Sequence, residues 1–296
     1  MTVEFLTEHV GYIPGAVNVG VVRAEGDRFI LIDTGLNETS GKKAVKAIQD
    51  LGGVVAAIVT THAHADHFGA NATVVKRTGA MVYAPALDEA VIRYPILQPS
   101  LLYAGADPPA TLRSRFLLAD ASPVDSIISE TQFEVEGVPI DVISLAGHSP
   151  NQLGFRIDGV FFCADVALPE SVLAKYRIPY LYAVGDHLNA IERAGSVEAN
   201  WVVPGHGAVS PSIDSALALN RQLVLEVAER VQEFAAEPAT AGDLMAKVLE
   251  SYDAPVSDHP AYFLLQPTIY AFLSYLHTQG RVESAVEGYK VFWWRT

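Results

Sequence analysis

Val54-Val55-Ala56-Ala57-Ile58-Val59-Thr60-Thr61-His62-Ala63-His64-Ala65-Asp66-His67-Phe68-Gly69 joins an apolar run to four metal-capable side chains within six residues. The run from Val54 to Val59 holds only Val, Ile and Ala, which reads as a fully buried strand. The polar cluster then falls on the loop where that strand ends, and the ends of strands are where open α/β sheets collect ligands. Histidine offers a neutral imidazole nitrogen and aspartate a hard carboxylate oxygen, and both suit a divalent ion such as zinc. Three histidines and an aspartate packed together without an ion would repel one another or waste their hydrogen-bonding capacity. The spacing therefore points to a metal site.

Four further landmarks lie outward from this stretch. Leu31-Ile32-Asp33-Thr34-Gly35 puts an acidic turn after an early strand. Ala146-Gly147-His148-Ser149 and Pro204-Gly205-His206-Gly207 each set a histidine on a glycine loop. Phe161-Phe162-Cys163-Ala164-Asp165 puts an aspartate at a strand end.

With the H-x-H-x-D-H pattern of residues 62–67, these landmarks in order resemble the metallo-β-lactamase fold superfamily over roughly the first 210 residues. The resemblance implies an α/β fold of four layers, αββα. It assigns His62, His64 and His148 to one metal ion, Asp66, His67 and His206 to a second, and Asp165 to a bridge between them. Asp66 is expected to act in catalysis as well, and Asp33 to brace the metal loop from behind. The implied cofactor is a pair of divalent ions, zinc first, with iron or manganese as alternatives.

The implied activity is hydrolysis of a small ester, thioester or lactone by a metal-bound hydroxide, since a bound ion lowers the pKa of water to about 7. Three rivals stay open: a metal-dependent phosphodiesterase or ribonuclease, an iron-dependent persulfide dioxygenase, and a non-catalytic metal-binding protein. Antibiotic-cleaving members with two zinc ions carry Cys or Ser where this chain has Asp165, so the pattern looks more like the glyoxalase II, lactonase and RNase Z side of the superfamily. Flavodiiron-type members carry Glu where this chain has His64, which disfavours oxygen reduction. Ser149 reads as a loop residue rather than a nucleophile, and Cys163, between apolar neighbours, as an inert buried thiol. His187 is expected either to line the pocket or to sit on a helix surface.

Composition bounds the rest. The chain has 296 residues, half of them hydrophobic, enough for one large domain plus an appendage. A net charge of −14 argues against non-specific nucleic-acid binding. No apolar run approaches the ~20 residues of a membrane helix, and Met1-Thr2-Val3-Glu4 does not read as a signal peptide. One cysteine allows no internal disulfide. The expectation is a cytoplasmic enzyme of a small-molecule substrate, without membrane or nucleic-acid partners, with homodimerisation left open.

The order of elements follows from periodicity and turn residues. Residues 17–23 and 28–33 read as a hairpin through Glu25-Gly26-Asp27, and Ser40 as the cap of a helix that Gly52-Gly53 end. Residues 85–126 hold Pro85, Pro95, Pro99, Pro108, Pro109 and Pro123 among apolar side chains, and only 87–94 reads as helical. Such an insertion is expected to be a substrate-covering lid, with a dimer contact as the rival. Ile127 to Val135 reads as one strand pairing with Val138 to Leu145, and residues 153–157 and 160–163 as a hairpin across Asp158-Gly159. Residues 169–185 read as a loop, then 187–194 as a helix capped by Asp186.

Residues 1–210 thus form the expected catalytic domain and 211–296 a C-terminal module. The module reads as helices over 212–236, 241–252 and 266–279, followed by a hairpin, an order that looks like a winged helix. It carries six Lys and Arg against eleven Asp and Glu, and none of the cations lies on the third helix. That footprint suits packing or dimerisation better than DNA recognition.

Overall fold

Side chains alternate along the central strands, and this sorts the chain into layers. The computed structural model describes residues 2–296. Along the strand Arg28–Ile32, Phe29 and Leu31 face one side and Ile30 and Ile32 the other, and all four are buried. Phe29 and Leu31 pack with Ala44, Val45, Ile48 and Val74. Ile30 and Ile32 pack with Phe155, Val160 and Phe162 of a second sheet. On that sheet Phe161 and Cys163 face outward onto Ala190, Ile191 and Ala194. A strand buried on both faces needs an unbroken apolar sequence, which is what these strands have.

The first sheet runs in chain order through β1 (Glu4–Phe5), β2 (Val10–Ile13), β3 (Val19–Arg23), β4 (Arg28–Ile32), β5 (Val54–Val59), β6 (Met81–Pro85) and β7 (Ser126–Ile128). It is antiparallel as far as β4 and parallel from there on. The second sheet comprises β8 (Gln132–Val135), β9 (Val138–Ser144), β10 (Leu153–Ile157), β11 (Val160–Ala164) and β12 (Trp201–Pro204), with β12 parallel to β11. Helices α1 (Glu38–Asp50), the single turn α2 (Ala65–Phe68) and α3 (Asn71–Thr78) follow β4 and β5. The α1 and α3 helices cover the outer face of the first sheet. Next come α4 (Asp88–Arg93), α5 (Leu97–Leu102), α6 (Glu170–Tyr176) and α7 (Val184–Gly195), and α7 covers the second sheet. The layers are therefore αββα, as the resemblance implied.

Several local readings need correction. The cap of α1 is Asn37, whose Oδ1 accepts from the amides of Thr39 and Ser40; Ser40 closes the capping box from inside the helix. The apolar stretch 127–135 is two strands in different sheets, β7 beside β6 and β8 beside β9. The insertion holds α5 and a 3-10 turn at Ala110–Leu112 as well as α4. Residues 169–185 contain α6, and α7 starts at Val184 with Ala183 at its cap position.

The C-terminal segment folds as α8 (Asp214–Phe234), α9 (Ala241–Ser251) and α10 (His259–Thr278), with a small sheet in the order β13 (Ala239–Thr240), β15 (Lys290–Arg295), β14 (Val282–Glu287). Thr240 and Asp243 form the capping box of α9. The α10 helix begins seven residues before the expected Gln266, capped by Asp258 with Pro260 in its first turn. Pro267 lies inside it. This segment shares a core with Ile178, Leu181 and Val184, so its apolar faces pack on the stretch between α6 and α7 and on the start of α7. No described helix is long and apolar enough to cross a membrane.

Candidate metal centre

Strand β5 delivers the stretch from Thr60 to His67 to the edge where the two sheets meet, and the single turn α2 folds the polar side chains back on themselves. The side chains of His62, His64, Asp66, His67, His148, Asp165 and His206 come together there. Their ligand atoms form three overlapping groups, each within 4.8 Å: His62, His64 and His148; His62, His67 and Asp165; and Asp66, His67 and His206. His62 and His67 are fully buried, His148 and Asp165 nearly so, and Asp66 and His206 partly open.

Hydrogen bonds behind the histidines decide which nitrogen faces inward. His148 Nδ1 lies 3.1 Å from the Tyr180 carbonyl and His206 Nδ1 2.7 Å from the Ala16 carbonyl. A carbonyl only accepts, so both Nδ1 atoms donate and both Nε2 atoms face the centre. His67 Nδ1 lies 2.7 Å from Asp33 Oδ2, with the same outcome. Thr61 gives its hydroxyl proton to Asp33 Oδ2 at 2.7 Å, so its oxygen is free to accept from His62 Nδ1 at 3.0 Å. Asp33 thus holds the metal loop from behind, helped by the Thr61 amide at 2.8 Å. Such outer partners fix the rings before any ion arrives.

The inward atoms are spaced as ligands. Around a tetrahedral ion with bonds of about 2.0–2.1 Å, neighbouring ligand atoms sit roughly 3.3–3.4 Å apart. His62 Nε2 and His64 Nδ1 are 3.1 Å apart. Asp165 Oδ1 is 3.4 Å from His67 Nε2, and its Oδ2 is 3.5 Å from His148 Nε2 and 3.4 Å from His206 Nε2. Asp66 Oδ2 is 3.4 Å from His206 Nε2. His67 Nε2, His148 Nε2 and Asp165 Oδ1 are buried without a hydrogen-bond partner. Buried orphans are costly unless something satisfies them, and divalent cations fit this donor set of imidazoles and carboxylates.

The electrostatics split the cluster. Burial, then the neighbouring histidines, keeps His62 well below the usual histidine range and His148 down at about 3. Burial also lowers His64, against the pull of Asp66 and Asp165. All three are neutral at pH 7 and ready to ligate. Burial opposes charge on His67 and His206 too, but Asp165 and the other carboxylates beside them win. His67 is raised well above its ordinary value and His206 to about 10. Burial would push Asp165 up, but His67 and His206 hold it well below the carboxylate range. In the ion-free chain, protons on His67 and His206 therefore offset the carboxylates.

The backbone supports the cluster where side chains alone would not. Asp33 and Ala164 both sit in the left-handed region, with φ of 60° and 49°, directly at or before functional side chains. A Cβ on Gly205 would overlap Asp165 Oδ1 and come within 2.8 Å of His67 Cε1. Only glycine lets this loop pass so close to the Asp165 carboxylate.

Some supporting residues carried no signal in the sequence. Asp88, on the first turn of α4, is 1% exposed. Its Oδ1 accepts from the Ala63 amide at 2.8 Å and its Oδ2 from the Asn151 amide at 2.9 Å, tying the loop of His62 and His64 to the loop of His148. Burial raises its pKa, offset in part by those amides. Gln152 is fully buried and accepts from the Asp165 amide at 3.2 Å. His187 is neither on the surface nor in the cleft lining; it is buried behind Gly147, and burial lowers it to about 4. The Cys163 thiol is fully buried and its pKa strongly raised, as expected of an inert thiol.

The cluster opens into a cleft of about 1280 Å³. His64, Asp66, His148, Asp165 and His206 lie in its wall, with the β2–β3 turn and the start of α1 on one side. The insertion, α6 and the first turns of α10 contribute the rest of the lining.

Comparison with known proteins places this geometry. The model of the metallo-beta-lactamase superfamily matches residues 12–206. A beta-lactamase domain protein from Burkholderia ambifaria superposes with a TM-score of 0.78 at 17% identity, covering 99% of this chain and 93% of that one. A metallo-beta-lactamase family protein from Thermus thermophilus gives 0.74 at 18% identity, covering 99% and 100%. A subclass B3 metallo-beta-lactamase of Bradyrhizobium japonicum gives 0.58 at 20% identity, covering 79% of this chain and 94% of that one. The first two alignments run through the C-terminal segment as well. Comparison with curated protein sequences gives no match.

Proposed function

Because the chain belongs to the metallo-beta-lactamase superfamily, whose members are mostly metal-dependent hydrolases, we propose that it hydrolyses a small ester, thioester or lactone with two divalent ions. The observation that carries this reading is Asp165. Its two oxygens reach histidines of both groups at 3.4–3.5 Å, as a carboxylate shared by two ions would. His62, His64 and His148 would hold one ion and Asp66, His67 and His206 the other, with zinc the first choice. When bound, the ions would supply hydroxide at neutral pH and polarise the scissile carbonyl.

The chain's own residues do the rest. Asp33, Thr61 and the Tyr180 and Ala16 carbonyls hold the rings in the ligating tautomer. Asp66 lies in the cleft wall, where it can accept a proton from an attacking water. Burial favours a proton on Asp66, yet the His206 bond and the His67 charge hold it at about 2, so in the ion-free chain it is an ionised carboxylate at neutral pH. Tyr180 lines the same wall, its ring centroid 5.4 Å from that of His64. Burial pushes it up to about 12, so it stays a neutral phenol able to donate to a substrate oxygen.

A phosphodiester substrate has less support, since α10 carries no Lys or Arg and the whole chain is strongly acidic. The test is a panel of esters, thioesters, lactones, phosphodiesters and RNA offered to protein loaded with zinc, manganese or iron(II). Turnover of an acyl substrate, abolished by chelation, is expected. Turnover of RNA or phosphodiesters alone, or oxygen consumption with a persulfide, would displace the proposal.

A further inference from the structure

We infer that the substrate of this cleft carries an apolar acyl or alkyl chain of several carbons, held against a wall that the insertion and α10 build together. The inference rests on the acyl-hydrolase reading of the metal cluster for the reacting end of the substrate, but the wall is read independently.

The cleft has more room than a small polar ester fills. Pockets that enclose drug-sized ligands occupy about 300–1,000 Å³, and this one holds about 1280 Å³. Much of its lining is apolar and left uncovered. Phe116 is 51% exposed and Tyr176 47%, and Leu36, Leu168, Leu264 and Leu265 are only partly buried. Lys43, Lys175 and Asp258, the charged lining residues outside the metal cluster, are exposed to solvent. Lys175 is already engaged, its ammonium 3.0 Å from the Tyr176 hydroxyl. The apolar side chains and His64, Asp66 and His148 line the same cleft, so an occupant of the wall can reach the metal cluster.

The wall is also fixed in place. Leu102, Leu112 and Leu117 of the insertion form a buried cluster with Tyr180, Phe263 and Leu264. Thr111 Oγ1 and His259 Nδ1 lie 3.0 Å apart across the same seam. Residues 255–265 of this wall lie beyond the segment 12–206 that matches the superfamily, so this part of the lining comes from the chain's own C-terminal segment. Preformed apolar walls reward each methylene they cover.

The experiment titrates straight-chain carboxylates, butanoate to decanoate, into metal-loaded and metal-free protein, read by displacement of an environment-sensitive dye. Affinity is expected to rise about fourfold per methylene over at least four carbons, in both forms. Phe116→Ala and Leu265→Ala are each expected to flatten that slope; Phe116 is exposed enough that its loss leaves the fold intact. Affinity independent of chain length overturns the inference, as does an unchanged slope in both variants. A slope that persists while no ester is turned over removes the hydrolase reading alone. Short esters turned over with no slope remove the apolar-chain inference alone.

Discussion

Replacing Asp33 by Asn tests the scaffold behind the metal cluster without changing its shape. Asp33 is 3% exposed and its carboxylate accepts three bonds: from the Thr61 amide at 2.8 Å, the Thr61 hydroxyl at 2.7 Å and His67 Nδ1 at 2.7 Å. Asparagine tolerates the φ of 60° at this position better than most residues, so backbone strain stays nearly constant. Its oxygen can still accept from the Thr61 amide, but its NH₂ then faces His67. His67 Nδ1 must now accept, and the ring proton moves to Nε2, the atom that faces Asp165 at 3.4 Å. A ligand nitrogen that has to give up a proton and turn its tautomer binds more weakly. Changes of this kind typically cost 10–100-fold in affinity, or about 1.4–2.7 kcal/mol. Losing the Asp33 charge also lowers the proton affinity of His67, which acts in the opposite direction. Chelator competition is therefore run at pH 9, where protons compete less than at pH 7. The loss is expected mainly for the ion held by Asp66, His67 and His206. Both ions binding within twofold of the unaltered protein would refute the role given to Asp33.

Three further outcomes follow from the same geometry. Gly205→Ala forces Asp165 to rotate away from a new methyl group, so both ions are expected to weaken together while the ion-free chain still folds; calorimetry and circular dichroism separate the two effects. Because His67 and His206 hold protons in the ion-free chain, the latter up to about pH 10, binding at their site must expel protons. Apparent affinity there is expected to rise about tenfold per pH unit for each proton expelled between pH 6 and 9, whereas the His62, His64 and His148 site should be nearly flat; titrations in buffers of different ionisation enthalpy count the protons. Asp88→Ala strands the Ala63 and Asn151 amides, at about 1–3 kcal/mol each, so urea unfolding is expected at lower concentration, with weakened binding at the His62, His64 and His148 site.

The seven side chains named from the sequence stand in one cluster because their types and spacing are local facts: His62 to His67 lie within six residues, and each later landmark follows an apolar run. What was not legible depended on contacts between distant segments. Asp88 lies on a six-residue helix inside a proline-rich insertion, and only the fold brings it under both ligand loops. The split of residues 126–135 between two sheets is set by which edges are free to pair, and periodicity does not encode that. The sequence reads α10 as starting at Gln266, with Pro267 next to it; packing of Phe263 and Leu264 on the insertion sustains the helix about two turns earlier. Those two turns contribute Pro260, Ala261, Leu264 and Leu265 to the cleft lining, so the least legible part of the helix is the part that faces the cleft.

The central claim is that Asp165 joins two metal ions into one hydrolytic site. The most direct measurement pairs metal stoichiometry by mass spectrometry with turnover of an activated ester, for the unaltered protein and for Asp165→Ala. Two ions per chain and chelator-sensitive turnover are expected in the first, and loss of at least one ion with nearly all turnover in the second. Two ions and full turnover retained without the Asp165 carboxylate would contradict the account.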